Sequence, residues 1–249
     1  MLKGIQALKR FFDTVASACG LILLSPLLLT IMLVVWLQDH HSPFYTSLRM
    51  ARGGGKFRMV KLRSMVVDAD KTGVSSTSAN DRRITPIGHF IRRFKLDEIM
   101  QLWNVLKGDM SLVGPRPQVE VDAALYTEVE GRILTVRPGI TDMASIIFSD
   151  EGDILAGSYN PDLKYNQVIR PWKSRLALLY IEHQSFWLDI KLIWLTILAI
   201  VSRERALKES VSILKDLRAD ELLIRMAGRQ EPLLAYPPPG ASEVVSTYP

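Results

Sequence analysis

Cysteine is nearly absent from this chain of 249 residues: Cys19 stands alone, so no disulfide can close within it. That excludes a small disulfide-stapled scaffold and fits a reducing compartment. Only four histidines occur, and no Cys/His set falls at zinc-ligand spacing. No internal repeat is visible. Charge is missing from one long stretch. Between Thr14 and Leu37 there is no Asp, Glu, Lys or Arg, about the length that crosses a bilayer as a helix.

What is present points to a surface between water and lipid. Hydrophobic residues make up 48% of the chain and the mean hydropathy is +0.12, unusual for a fully soluble protein with 23% charged residues. Thirty-one basic residues against 26 acidic ones leave a net charge of +5. A basic balance admits nucleic acid, anionic lipid or phosphorylated substrates.

The uncharged run is long for a signal peptide, and Gln38-Asp39-His40-His41 follows it rather than a small-residue cleavage site. A transmembrane anchor is the plainer alternative. Two features favour a third form. Ser25-Pro26 lies mid-run, where proline removes a backbone hydrogen bond and kinks a helix. Both flanks are basic, with Lys3, Lys9 and Arg10 before the run and Arg49, Arg52, Lys56, Arg58, Lys61 and Arg63 after it. One crossing cannot place both flanks on the positive side. A re-entrant helix that breaks at Ser25-Pro26 and returns to the same face can. Arg10 and Asp13 could pair at the interface, or be ordinary flanking charges.

Residues 44–50 and 56–65 read as strands joined by Arg52-Gly53-Gly54-Gly55, a glycine cluster suited to a hairpin turn. On the second strand Phe57, Met59, Lys61 and Arg63 share a face by the two-residue period. Lys61 and Arg63 could present two cations together, or protect a solvated edge. Asp68 to Arg83 is polar and reads as a loop, possible as a cover over a site. Asp68 and Asp70 are more simply solvated acids than metal ligands. Thr85-Pro86 caps a helix carrying Ile87, Phe90, Ile91 and Phe94 on one face. Arg82, Arg83, Arg92, Arg93 and Lys95 make this region basic, toward lipid headgroups, a diphosphate or solvent.

The stretch from Lys95 to Pro117 carries the chemistry. Ile99, Leu102, Trp103 and Leu106 recur at helical spacing, and Gly108 reads as the stop. Asp97 and Glu98 fall at the helix start, where free backbone N–H groups favour negative charge and can hold a phosphate. Gly114-Pro115-Arg116-Pro117 presents one guanidinium from a stiff turn. Two carboxylates facing a rigid arginine suit a metal-assisted phosphate site. An acidic helix start beside a structural turn is the bland alternative.

Leu96-Asp97-Glu98, Gln101-Leu102, Asn104 to Ser111 and Val113-Gly114-Pro115-Arg116-Pro117 resemble, in order and nearly without gaps, the signature of the bacterial sugar transferases. These are monotopic phosphoglycosyl transferases that start glycan assembly on polyprenyl phosphate. Arg49, Phe57, Lys61 and Arg63-Ser64-Met65 resemble the family's basic hairpin, and Val136-Arg137-Pro138-Gly139-Ile140-Thr141 its Arg-Pro-Gly-Ile-Thr motif. Lys95, Ile99-Met100 and Ala51 depart from the usual residues, as does Asp142-Met143-Ala144-Ser145-Ile146, a segment that could shape a sugar pocket. The resemblance covers about residues 8 to 203. It implies a re-entrant helix with a Ser-Pro break, and Lys61 as a substrate-phosphate ligand. Arg137 is a second candidate phosphate contact, or a brace for its turn.

Gln118 to Thr135 reads as a helix bordered by a loop, and residues 150–173 as turns with short helical pieces. Leu176 to Val201 is strongly apolar, but Asp189 and Lys191 near its centre make a second crossing costly. Trp187 and Trp194 suit helices lying in the interface. His183 has no partner histidine nearby and reads as a packing residue. Residues 203–228 read as a charged amphipathic helix, and 230–249, with Pro237-Pro238-Pro239-Gly240, as disordered.

The expected fold is α+β and mostly helical: a re-entrant membrane helix (1–40), a catalytic domain with a small β-hairpin and interfacial helices (41–202), and a C-terminal helix with a disordered tail (203–249). The expected activity is transfer of a sugar 1-phosphate from a UDP-sugar to undecaprenyl phosphate with release of UMP, at the cytoplasmic side of a bacterial inner membrane. The family's chemistry implies a covalent route. Asp97 attacks phosphorus, Glu98 helps hold Mg2+ with Asp97, and Lys61, Arg63, Arg116 and Arg137 bind phosphate. Direct transfer in a ternary complex stays open, as does a homodimer through the extra C-terminal helix. A non-catalytic membrane-surface scaffold is the rival class. A nucleic-acid binder is disfavoured, because the basic stretch lacks interleaved aromatics.

Overall fold

The structure is a computed structural model that describes residues 2–72, 77 and 81–248. The chain is mostly helical. A long helix α1 (Leu2–Asp39) leads into an antiparallel hairpin of β1 (Phe44–Met50) and β2 (Lys56–Leu62). Next come α2 (Pro86–Arg93), a single 3-10 turn at Leu96–Glu98, α3 (Gln101–Lys107) and β3 (Ser111–Val113). Two short helices, α4 (Glu120–Ala124) and α5 (Glu128–Gly131), precede β4 (Gly139–Thr141), which pairs in parallel with β3. The rest is helical: α6 (Met143–Ile147), α7 (Glu151–Leu155), α8 (Pro161–Lys164), α9 (Arg170–Glu182), α10 (Phe186–Val201), α11 (Arg203–Asp216) and α12 (Glu221–Ala227).

The helix α1 runs through Pro26 without interruption. Proline there cannot donate to the carbonyl of Ile22, four residues back. Ser25 Oγ takes over and donates to Ile22 O at 2.7 Å. Asp13, Ser17, Leu28, Ile31 and Val35 are buried along one stripe, and Ile22, Leu23, Leu29 and Leu33 are exposed on the other side. The spacing of the stripe keeps one helical phase on both sides of Pro26. Both ends of α1 are tied to the rest of the chain. Near its start, Lys9 pairs with Asp189 of α10 at 2.5 Å, and Arg10 donates to Val105 O and Leu106 O. Asp13 does not pair with Arg10, because its carboxylate accepts from Ser111 Oγ and Leu112 N. At its end, Asp39 is held by Arg63.

The main core joins α6, α7, α9, α10, α11 and α12 around Ile147, Leu155, Leu176, Leu192 and Leu214. The C-terminal helices therefore share the core of the preceding domain. The amphipathic segment 203–228 is two helices, split where Arg218 takes φ 53° and Asp220 caps α12. The helix α10 buries Leu188, Leu192 and Leu195 and leaves Trp187, Trp194, Ile197 and Val201 exposed. Its Asp189 points inward, where Lys9 and Tyr180 satisfy it. Among the described residues, α1 is the one helix long and apolar enough to cross a membrane.

Several expectations need correction, the first being the break at Ser25-Pro26, across which α1 is one continuous helix. The tail expected to be disordered follows a defined path. Tyr236 stacks on Trp172 at 4.6 Å, Thr127 Oγ1 donates to Pro239 O, and Tyr248 OH donates to Asp122. The apolar stripe read over 99–106 packs in part toward α1, and the fully buried positions of α3 are others. Gln101, Asn104 and Val105 are buried, whereas Ile99 and Leu102 pack toward α1 and Trp103 is exposed. Similarly, Phe90 and Phe94 are exposed while Ile91 of the same face is buried. The segment 118–135 holds two short helices and a 3-10 turn rather than one helix. Much of the loop expected over the site, Asp68 to Arg83, lies outside the described residues.

Candidate active site

The hairpin is fastened to α3 by one side chain. Asn104, fully buried, accepts from Val60 N at 2.9 Å and donates to Arg58 O at 2.8 Å, so it satisfies the outer edge of β2. Phe57 and Met59 pack against Val105 and Met110. Lys61 is next on the same face of β2 and arrives beside the 3-10 turn. Its Nζ lies 3.9 Å from Asp97 Oδ2 and 3.8 Å from Glu98 Oε1. Lys95 enters that turn at φ 56°, a left-handed residue that turns the chain sharply between α2 and the acids.

Arg116 comes from the other side. Its Nη2 donates to Glu98 Oε1 at 2.7 Å. Its backbone N–H donates to Asp142 Oδ2 at 3.2 Å, and Asp142 Oδ1 caps α6 through Ser145 N. Asp142 thus fixes the turn that carries Arg116. The turn itself requires close backbone approach: a Cβ on Gly139 would sit 2.1 Å from Gly114 N. The segment after Thr141, expected to shape a sugar pocket, mostly enters the core, where Met143, Ala144, Ile146 and Ile147 are buried.

The two carboxylates have opposite electrostatics. Burial pushes Asp97 above the usual carboxylate range; Lys61 counteracts it and Glu98 adds to it. Among the described residues, no hydrogen bond reaches the Asp97 carboxylate. Burial also pushes Glu98 up, but Arg116, Lys61 and Lys95 outweigh it and hold that carboxyl well below the usual range. Burial and the facing charges of Arg116 and Arg49 bring Lys61 down to about 8, against the pull of Glu98 and Asp97. Glu98 raises Arg116, so its guanidinium stays charged. Asp97 is the under-solvated group of the pair, and Glu98 is the anchored one.

The structure brings four of the expected site residues together: Asp97, Glu98, Lys61 and Arg116. Two others lie elsewhere. Arg63 is buried at the end of α1, where it grips Asp39 with both Nη atoms at 2.6 and 2.7 Å and donates to Ser42 O. β2 ends at Leu62, so Arg63 leaves the face it would share with Lys61. Arg137 donates from Nε to Gly108 O, at the C-terminus of α3, and lines a separate cleft with Lys9, Arg10, Asp13 and Arg52. Sequence reasoning missed Glu151, which pairs with Lys173 and adds negative charge near Arg116. No motif or spacing marked it. Sequence reasoning counted Arg49 in the basic hairpin but not among the phosphate ligands; the register of the hairpin puts it on the face of Lys61.

No cluster of three or more metal-type side chains occurs among the described residues. Magnesium needs only one or two carboxylates when phosphate oxygens complete its shell. The adjacent pair of Asp97, lacking a hydrogen-bond donor, and Glu98 fits that demand.

The model of the family described as bacterial sugar transferase matches residues 5–203. An undecaprenyl-phosphate glucose phosphotransferase of Komagataeibacter xylinus is 39% identical over 196 residues, 76% of this chain and 35% of that protein. A UDP-glucose:undecaprenyl-phosphate glucose-1-phosphate transferase of Klebsiella pneumoniae is 36% identical over 201 residues, 79% of this chain and 41% of that protein. The exopolysaccharide production protein ExoY of Rhizobium meliloti (strain 1021) is 31% identical over 207 residues, 77% of this chain and 84% of its own. The chain thus spans well under half the length of the first two. With a family match from the long apolar helix through α10, and the signature acids and arginine gathered in one cluster, this chain belongs to the bacterial sugar transferases.

Proposed function

We propose that the protein transfers a sugar 1-phosphate from a UDP-sugar to undecaprenyl phosphate and releases UMP. The observation that carries this reading is the pairing of a buried, unbonded Asp97 with Lys61, beside a Glu98 locked to Arg116. The names of the relatives support the donor and acceptor classes.

The chemistry runs in two steps. An Asp97 carboxylate oxygen attacks the sugar-bearing phosphorus. The bond from that phosphorus to the bridging oxygen breaks, and UMP leaves with the electron pair. A phosphate oxygen of undecaprenyl phosphate then attacks the same phosphorus, and the acyl-phosphate bond breaks to restore Asp97. An ionised carboxylate is a weak nucleophile, so its surroundings matter. Burial without hydrogen bonds leaves Asp97 poorly solvated and raises its basicity. Lys61 and Arg116 carry donors for the phosphoryl oxygens as charge redistributes. Asp97 and Glu98 would hold a magnesium ion, which supplies positive charge against the diphosphate. Glu98 keeps Arg116 aimed at the cluster.

The helix α1 brings this water-facing site to a lipid acceptor. We read α1 as re-entrant, with the active site on the cytoplasmic face. Support comes from its two ends: Lys9 and Arg10 at one, Asp39 at the other, bind the same domain. A crossing helix would have to separate them. The Ser25-Pro26 step is the place where the helix can bend in lipid, because one backbone bond there is already replaced by a side chain. The exposed Trp187 and Trp194 of α10 suit the headgroup level.

The test is UMP release by the purified protein with magnesium, undecaprenyl phosphate and a panel of UDP-sugars. Release that requires the lipid and is lost in Asp97→Asn supports the reading. Release from no donor by folded, membrane-bound protein contradicts it.

A further inference from the structure

The site contains a cation that the two-step chemistry above does not use. In the hairpin register Tyr45 faces Lys61, Ser47 faces Met59 and Arg49 faces Phe57. Directly opposed residues point to the same side of a sheet. Arg49 therefore stands on the inner face with Lys61, four register positions farther along the hairpin. It is half-buried, and its one hydrogen bond among the described residues runs from Nε to Ser47 Oγ at 3.3 Å. Among the described residues no carboxylate pairs with it. Asp122, the acid whose charge reaches it, instead accepts from Tyr248.

A half-buried guanidinium without a counter-ion is costly to keep charged. Here the cost is raised by Arg116, which is the strongest charge acting on Arg49 and also the strongest acting on Lys61. The turn of Arg116 is held against β1, because Met50 N donates to Gln118 O at 2.9 Å. The strand residue after Arg49 and the loop residue two after Arg116 are bonded together, so the two guanidiniums are fixed relative to each other. Along the inner face of the hairpin Lys61 stands beside Asp97, and Arg49 lies farther along, next to the strand residue bonded to the loop that carries Arg116.

We infer that Arg49 is a substrate ligand: with Arg116 it clamps the nucleoside-side phosphate of the donor, the one that departs in UMP. The inference rests on the transferase reading. A nucleoside diphosphate carries two adjacent anionic phosphates. Asp97 and Lys61 mark the position of the one attacked. The next phosphate along the cleft meets Arg116 and the free fork of Arg49, which suits planar, bidentate capture of phosphate oxygens. Ligand charge would supply the counter-ion that the protein withholds.

The test compares wild type, Arg49→Gln and Arg49→Lys, with two readouts. The first is UMP binding to the unreacted full-length proteins in detergent, measured by calorimetry. The second is steady-state turnover, with KM for the UDP-sugar and for undecaprenyl phosphate measured separately. Loss of one charge-assisted contact should weaken UMP binding and raise the donor KM about tenfold or more. The acceptor KM and thermal midpoint should stay close to wild type, and Arg49→Lys should recover part of the loss. UMP binding within twofold of wild type in Arg49→Gln overturns the clamp. So does a loss that falls equally on both substrates and tracks a lowered thermal midpoint. Should Arg49→Gln fail to fold, Arg49→Lys alone decides, with unchanged UMP binding and donor KM overturning the clamp. A wild type that binds UMP through Arg49 but turns over no donor would leave the clamp standing and reject the transferase reading instead.

Discussion

Arg116 is hydrogen-bonded to Glu98, at 2.7 Å, while neighbouring Asp97 receives no hydrogen bond from any described residue. The two adjacent acids are therefore unequal. Glu98→Gln should weaken the grip on Arg116 and lower kcat/KM for the donor by about a hundredfold, the scale of losing one charged stabilising contact. Asp97→Asn should remove turnover while leaving donor binding within a fewfold of wild type. Steady-state kinetics beside nucleotide binding distinguishes the two. Equal effects of both substitutions on binding and turnover would contradict the division of roles.

Lys61 gives the pH profile a sign. It must be charged to hold phosphate, and its pKa is brought to about 8 by burial and by Arg116. The donor kcat/KM should be highest below that value and fall as pH rises through it. Lys61→Arg should remove this descending limb, because a guanidinium stays charged. Stability should move the opposite way. The folded value lies below the ordinary 10.5, so the unfolded chain binds more protons between about 8 and 10.5, and the cost of burying the charge is relieved as pH rises across that window. A pH–rate profile and a pH series of thermal midpoints check both signs.

The two ends of α1 should label from one side of the membrane. Cys19 is the one native cysteine, so a Cys19→Ser background accepts single cysteines at Gln6 and His41, both exposed. An impermeant thiol reagent applied to sealed vesicles of either orientation should modify both or neither. Modification of the two from opposite sides would contradict the re-entrant reading.

Gly139→Ala should be destabilising. Its new Cβ would fall 2.1 Å from Gly114 N and 2.4 Å from Gly114 O, rigid backbone atoms beside the Arg116 turn. A cost of about 1–3 kcal/mol is expected from such overpacking, seen as a lowered denaturation midpoint and reduced turnover together. An unchanged midpoint would mean that the β3–β4 pairing is looser than its register indicates.

Much of this arrangement was legible before folding. Alternation, a helix start and a proline-locked turn are local signals that made Lys61, Asp97, Glu98 and Arg116 candidates, and the resemblance to the bacterial sugar transferases implied their phosphate chemistry over the bland alternatives. The hairpin was legible for the same reason, from glycines between two alternating runs. Arg63 was misplaced because its partner, Asp39, lies far back along the chain, and an ion pair of that span leaves no periodic trace. Arg137, open in the sequence as a phosphate contact or a brace, donates to the carbonyl of Gly108 after α3, a tertiary contact that leaves no local trace. β3 and β4 are too short to show a two-residue period. The tail reads as unordered from its prolines, but Tyr236 and Tyr248 fasten it through contacts with Trp172 and Asp122.

The central claim is that Asp97 becomes the carrier of the sugar phosphate. Intact-mass measurement of the protein with magnesium and its active UDP-sugar, without undecaprenyl phosphate, tests it most directly. The account predicts a mass increase equal to one sugar phosphate, mapped to Asp97, absent in Asp97→Asn and discharged when undecaprenyl phosphate is added. UMP release that occurs only with both substrates present, with no adduct at any time after mixing, would contradict it.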